Sequence, residues 1–189
     1  MPEWIQEGFH ALFGDGFTVD LLDKLLNFIP TLLASIFKSV AVIICGLFTN
    51  IFNSFVEKNF RVKADRHNRA MCGLSMGGGQ SWYVGLRAPE VFANIGVFSA
   101  GIFGGIQGVN FDLERECPGI LTDTGNFNKS HDTFFVSCGE QDPRITYTRK
   151  AIGNMKDAGV DVTFRSYPGD HEWQVWRKSF TEYAQMLFK

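Results

Sequence analysis

Residues 69–80 read Arg69-Ala70-Met71-Cys72-Gly73-Leu74-Ser75-Met76-Gly77-Gly78-Gly79-Gln80, and the reading of the whole chain works outward from them. Arg69 to Cys72 has the composition of a short strand and Gly78 to Arg87 that of a helix; between them stands Gly73-Leu74-Ser75-Met76-Gly77, a G-x-S-x-G. A strand that turns directly into a helix around a serine needs glycine on both sides, because the backbone reverses too tightly for a β-carbon. Such a turn lifts the hydroxyl above the sheet beside a helix N-terminus, whose unpaired N–H groups and positive dipole end favour an oxyanion. In a chain with 20 glycines the bare pattern is weak, so it counts only in this strand–turn–helix setting. Read so, Ser75 is a candidate nucleophile and the Met76 amide a candidate oxyanion donor.

Downstream, short β-type runs alternate with helical stretches, the signature of an α/β chain with a mainly parallel sheet. Asn94 to Ser99, Thr133 to Ser137 and Val162 to Tyr167 read as further strands, and Thr146 to Ala158 and Glu172 to Phe188 as helices. The last helix carries Trp173, Trp176, Phe180, Tyr183, Ala184 and Leu187 at a helical period. Gly101 to Asn128 is rich in Gly and Asn without a period and is expected to be a long loop.

A serine attacks an acyl group only if a base takes its proton and an acid orients the base. The chain has four histidines. His10, His67 and His131 read as surface residues, whereas His171 follows the last strand in Pro168-Gly169-Asp170-His171 and precedes the last helix. In a parallel sheet that puts it on the same edge as Ser75. Asp142, in Cys138-Gly139-Glu140-Gln141-Asp142-Pro143, follows the third strand onto that edge, with Glu140 and Asp170 as rival acids. The order Ser75, Asp142, His171 is that of the α/β-hydrolase triad. Trp173, two residues after His171, is a candidate wall of a substrate pocket, against the plainer reading of helix core. No H-E-x-x-H and no GK[ST] occur, so neither a zincin-type metal site nor a phosphate loop is expected, and no cofactor is called for.

Net charge is −2, without the basic excess expected of a nucleic-acid binder. The four cysteines (Cys45, Cys72, Cys117, Cys138) form no CxxC pair, hence neither a disulfide scaffold nor a zinc ribbon. Charge is uneven: residues 1–56 hold two Lys/Arg and five Asp/Glu, and residues 57–189 hold sixteen and fifteen. The expected division is therefore an apolar helical segment over 1–56 and an α/β core over 57–189. Ser39 to Val56 is an uncharged run at the lower limit of a membrane span, interrupted by Gly46, Asn50 and Asn53. Met1 to Gly16 carries Glu3, Glu7 and Asp15 and does not read as a cleavable export signal.

Taken together, the motifs resemble carbohydrate esterase family 1, the feruloyl and acetyl-xylan esterases of α/β-hydrolase fold. The resemblance runs over about residues 55–189. It rests on Asn59-Phe60-Arg61-Val62 and Asp65-Arg66, the stretch Arg69 to Gln80, Pro89-Glu90-Val91-Phe92-Ala93, Phe98-Ser99-Ala100, Cys138 to Asp142, and Gly169-Asp170-His171-Glu172-Trp173 with Trp176-Arg177. It implies Ser75 as nucleophile, His171 as base, Asp142 as orienting acid and Met76 as one oxyanion donor. It also implies cofactor-free hydrolysis of ester-linked ferulate or acetate on plant polysaccharide, and a secreted setting.

Members of that family carry a longer block before the nucleophile, holding the first strands and a second oxyanion donor, whereas 74 residues precede Ser75 here. The expectation is a partial α/β-hydrolase fold in which Arg69 to Cys72 forms a sheet edge. Residues of about 31–54 read as an insertion, natural or artefactual, into a shortened homologue. Two functional classes follow: a serine esterase with an acyl-enzyme, or a catalytically impaired homologue that associates with membranes through residues 25–56 or with copies of itself.

Overall fold

A computed structural model describes residues 55–103 and 112–189. Its centre is a four-stranded parallel sheet in the order β1 (Ala70–Leu74), β2 (Asn94–Phe98), β3 (Thr133–Gly139), β4 (Thr163–Tyr167). Ala70 pairs with Asn94, Asn94 with Thr133 and Phe135 with Thr163. Every residue of β2 and β3 is buried. That is why these runs carry little polar alternation: helices cover both faces.

From β1 onward, the α-helices among the described residues are α1 (Met76–Gln80), widening into a π-helical turn over Ser81–Gly85, α2 (Leu113–Glu116), α3 (Thr124–Ser130), α4 (Ile145–Asp157) and α5 (Trp173–Met186). Successive side chains of a strand point to opposite faces, and the two cores follow that alternation. Ile95, Val97, Phe134 and Val136 pack with Trp82, Phe127, Ile152 and Met155, while Phe98 and Phe135 pack with Tyr183 of α5. Each fully buried large apolar side chain contributes about 1.5–3 kcal/mol, so these two clusters, rather than the exposed ion pairs, hold the sheet against its helices. Ser137 Oγ donates to Ser179 Oγ at 2.8 Å, satisfying the polar pair buried under α5.

The expected mainly parallel sheet with helices on both faces is the one observed. Among the described residues β1 pairs with β2 alone and is half-buried, with Cys72 exposed. The expected apolar helical segment, the insertion over 31–54, the candidate span over Ser39–Val56 and the membrane-associating stretch over 25–56 fall outside the described residues, apart from Phe55 and Val56. Among the described residues no helix is long and apolar enough to cross a membrane.

Two readings are corrected. Gly101 to Asn128 is not one long loop: it contains a 3-10 turn over Gly101–Phe103 and helices α2 and α3. Asp112 caps α2 by accepting the Arg115 amide at 3.1 Å. Glu114 then accepts the amides of Gly119 (2.6 Å), Leu121 (2.9 Å) and Thr122 (3.3 Å), and the Thr122 hydroxyl at 2.7 Å. Those hydrogen bonds hold its carboxyl down at about 2. Helices this short leave no period to read.

His131 is buried, not at the surface; it stacks on Phe127 at 4.6 Å and its Nδ1 lies 3.1 Å from the Phe127 carbonyl. Burial, countered in part by that carbonyl, depresses its proton affinity below the ordinary 6.5. The unfolded chain therefore binds more protons at this group, and the stability it contributes is present above about pH 6.5 and lost as pH falls. The expected result is a Tm that declines from pH 7 to pH 5 less steeply in His131→Phe than in the wild type; equal slopes would show that other groups set the decline. His67 is exposed, with Nδ1 2.6 Å from Asp132 Oδ2, and His10 lies outside the described residues.

Candidate active site

Ser75 stands between β1 and α1 at φ 53° and ψ −117°, a region that costs a non-glycine residue about 1–3 kcal/mol. It is held there by its amide, which donates to the Phe98 carbonyl at 2.8 Å, and by its carbonyl, which accepts the Gly79 amide at 3.3 Å. The first glycine of the motif is required by close approach: a β-carbon on Gly73 would lie 2.3 Å from the carbonyl carbon and oxygen of Gly77. Met76 opens α1, so its amide belongs to the first turn, where N–H groups have no partner within the helix.

Asp142 and His171 come from two loops at the same edge of the sheet. After β3 and β4 end, the loops stay zipped: the Glu140 amide donates to the Tyr167 carbonyl at 2.9 Å and the Gln141 amide to the Gly169 carbonyl at 3.0 Å. The Gln141 side chain accepts the Gly169 amide in return. His171 Nδ1 lies 2.8 Å from Asp142 Oδ2, and His171 Nε2 lies 2.9 Å from Ser75 Oγ. An ionised carboxylate only accepts, so Nδ1 carries the proton and Nε2 is left to accept the serine hydroxyl. Asp142 is fully buried, while the His171 side chain is 24% exposed. Burial works against the charge on Asp142, and hydrogen bonds from the Arg144 amide, His171 and the Arg144 guanidinium, with that cation's charge, outweigh it. The carboxyl is held below the ordinary carboxylate range.

The rival acids are elsewhere. Glu140 is exposed and accepts the Ser166 hydroxyl at 3.3 Å, and the Asp170 carboxylate accepts the His171 backbone amide at 2.7 Å rather than facing the imidazole. Trp173 begins α5 and is 63% exposed. The indole set edge-on to the imidazole is instead Trp176, at 4.9 Å and 86°. Two neighbours of the site escaped the sequence reading: Arg144, on Asp142, and Gln141, the clasp between the loops. Their only signal was proximity to Asp142, which does not say where a side chain turns. The arrangement pairs a hydroxyl with a base whose other nitrogen is anchored on a buried carboxylate, the geometry that activates a serine toward acyl carbon.

The parallel sheet, with a serine on its strand-to-helix turn, has the architecture of the α/β hydrolases. The Esterase family model, described as "Putative esterase", matches residues 48–187, and the chain belongs to that family. It is 33% identical over 135 residues to an endo-1,4-beta-xylanase/feruloyl esterase of Xylanibacter ruminicola, an alignment covering 71% of this chain and 16% of that protein. A solved ferulic acid esterase matches with a TM-score of 0.57 and 26% identity, over 71% of this chain and 58% of the other. A CE1 ferulic acid esterase from Anaeromyces mucronatus, solved with ferulic acid, shares the fold at a TM-score of 0.58 and 20% identity, over 73% of this chain and 51% of its own. The chain thus spans 16% of the bifunctional relative and between half and 60% of the solved esterases.

Proposed function

We propose that the chain hydrolyses carboxylic esters through an acyl-enzyme on Ser75, with His171 as general base and acid and Asp142 as the group that orients it. The single observation that carries this reading is the unbroken hydrogen-bonded path Ser75 Oγ, His171 Nε2, His171 Nδ1, Asp142 Oδ2 at the carboxyl edge of the sheet. Ser75 Oγ attacks the ester carbonyl carbon as its proton passes to Nε2, and the oxygen that becomes negative faces the Met76 amide. Collapse expels the alcohol oxygen, which takes the proton from Nε2. Water, giving its proton to Nε2, then attacks the acyl carbon; the acid leaves and Ser75 Oγ regains the proton. The carboxylate of Asp142 stabilises the imidazolium in both halves without taking the proton.

The catalytic unit in this reading is residues 57–189. Its substrates are esters of an aromatic or acetyl acid on plant polysaccharide, or smaller esters of the same acids, a choice supported by the names of the feruloyl and acetyl esterase relatives. Met76 and Trp173, 68% and 63% exposed, flank Ser75 and His171 in sequence and supply apolar surface for the acyl group. Nothing in the site or the relatives favours the impaired, membrane-bound or self-associating alternative.

The test is labelling of the purified chain with a fluorophosphonate probe. Wild type is expected to label covalently and Ser75→Ala, folded by circular dichroism, not at all. Equal labelling of both, or none in a folded wild type, overturns the assignment.

A further inference from the structure

The two oxygens of Asp142 have different work. Oδ2 faces His171 Nδ1 at 2.8 Å; Oδ1 accepts both the Arg144 backbone amide and the Arg144 Nη1, each at 3.0 Å. The Arg144 side chain is only 16% exposed. On the reading of Ser75, His171 and Asp142 as a triad, we propose that Arg144 is a positioning residue of this site, its guanidinium gripping Oδ1 so that Oδ2 stays aimed at His171, and its fixed cation sharing the carboxylate's charge with the imidazole.

The geometry requires a second anchor. The terminal torsion of an aspartate is broad and nearly two-fold, so a carboxylate held through one oxygen turns easily. Two donors on Oδ1 remove that freedom and leave Oδ2 a single partner. The charge argument is separate. A carboxylate shared between a permanent cation and an imidazole attracts the imidazole's extra proton less strongly than one with no other counter-charge. Arg144 thereby keeps the pair from holding a proton when Nε2 must accept one from Ser75.

The other groups around the pair do not supply this. Cys138, on β3, is a protonated thiol whose burial pushes it up to about 12. From the turn before α5, Asp170 is engaged by the His171 amide, and Glu172 accepts the Asp170 amide at 3.2 Å. Helix α5 itself presents the neutral Trp176 ring, and Glu140 on the acid loop turns outward to Ser166. Among the described residues Arg144 is the one permanent cation paired with Asp142.

The experiment compares wild type, Arg144→Met and Arg144→Lys by the pH dependence of kcat/KM on an activated aryl ester. In Arg144→Met the acid limb is expected to move to higher pH by about one unit, with kcat reduced and KM unchanged, and in Arg144→Lys to return toward the wild-type position. Arg144→Gln replaces Arg144→Met if that variant does not fold. The same shift is expected in the NMR titration midpoint of the site imidazole, which is read without turnover. A fall in kcat at every pH with the limb and the midpoint unmoved overturns the proposal and leaves Arg144 as packing. Failure of the triad reading is distinguishable, because it shows as absent turnover and labelling in wild type while the NMR midpoint still decides the part played by Arg144.

Discussion

Asp142→Asn is expected to lower kcat/KM by about 10⁴-fold while leaving the fold intact. The asparagine fills the same volume, and its oxygen can still accept the Arg144 amide and guanidinium that now hold Oδ1. That choice fixes which way the amide faces: with its oxygen toward Arg144, its NH2 points to His171. The imidazole must then accept at Nδ1 and carry its proton on Nε2, so the nitrogen facing Ser75 Oγ at 2.9 Å becomes a donor and cannot take the serine proton. Arg144 thus makes the wrong tautomer the stable one. Kinetics on an aryl ester, with the Tm as a control, checks this. A loss below tenfold would mean that His171 is oriented by something other than Asp142.

Gly139→Ala is expected to be strongly damaging although it touches no reacting group. A β-carbon there would lie 2.4 Å from the Gly169 carbonyl oxygen and 2.6 Å from that of Asp170. Both obstacles are backbone, so no rotamer change relieves the clash; the acid loop and the histidine turn must part. Overpacking of this kind costs about 3 kcal/mol, which for a chain of this size is a Tm drop on the order of 10 °C. Parting the loops by about 1 Å would also separate His171 from Asp142 and cost on the order of 10²-fold in rate. Calorimetry and kcat/KM on the same preparation test both parts, and a variant with wild-type values for both would show that the two loops are not pressed together at Gly139.

Much of this site was legible in the linear chain, for a physical reason in each case. A serine between glycines after a strand and before a helix states its own geometry, because the turn admits no β-carbon at Gly73. Strand β2 and strand β3 betray their central place by mostly apolar composition. The period of the last helix showed less: α5 buries Val175, Ser179 and Tyr183, so of the expected apolar face Tyr183 is buried while Trp173, Phe180 and Ala184 are exposed. Asp142 and His171 were recoverable because each follows a strand, and in a parallel sheet all such positions gather at one edge.

Other features had no linear signal. Helices α2 and α3 depend on Leu113, Cys117, Ile120 and Phe127 reaching the core singly, and on Glu114 gathering distant amides. His131 reads as polar but is buried, because Phe127 supplies both the ring it stacks on and the carbonyl beside Nδ1. The choice among Glu140, Asp142 and Asp170 is one of direction: within the five-residue loop 140–144 the Glu140 carboxylate turns to Ser166 and the Asp142 carboxylate to His171. Arg144 on Asp142 and Trp176 against His171 are likewise matters of where a side chain turns. By itself the sequence determined the layer architecture, the candidate serine and histidine and a short set of candidate acids, since these follow from local sterics and from which residues follow strands. Only the tertiary structure decided which oxygen of which carboxylate meets the imidazole and what holds it there, since hydrogen-bond direction and burial arise from elements far apart in the chain.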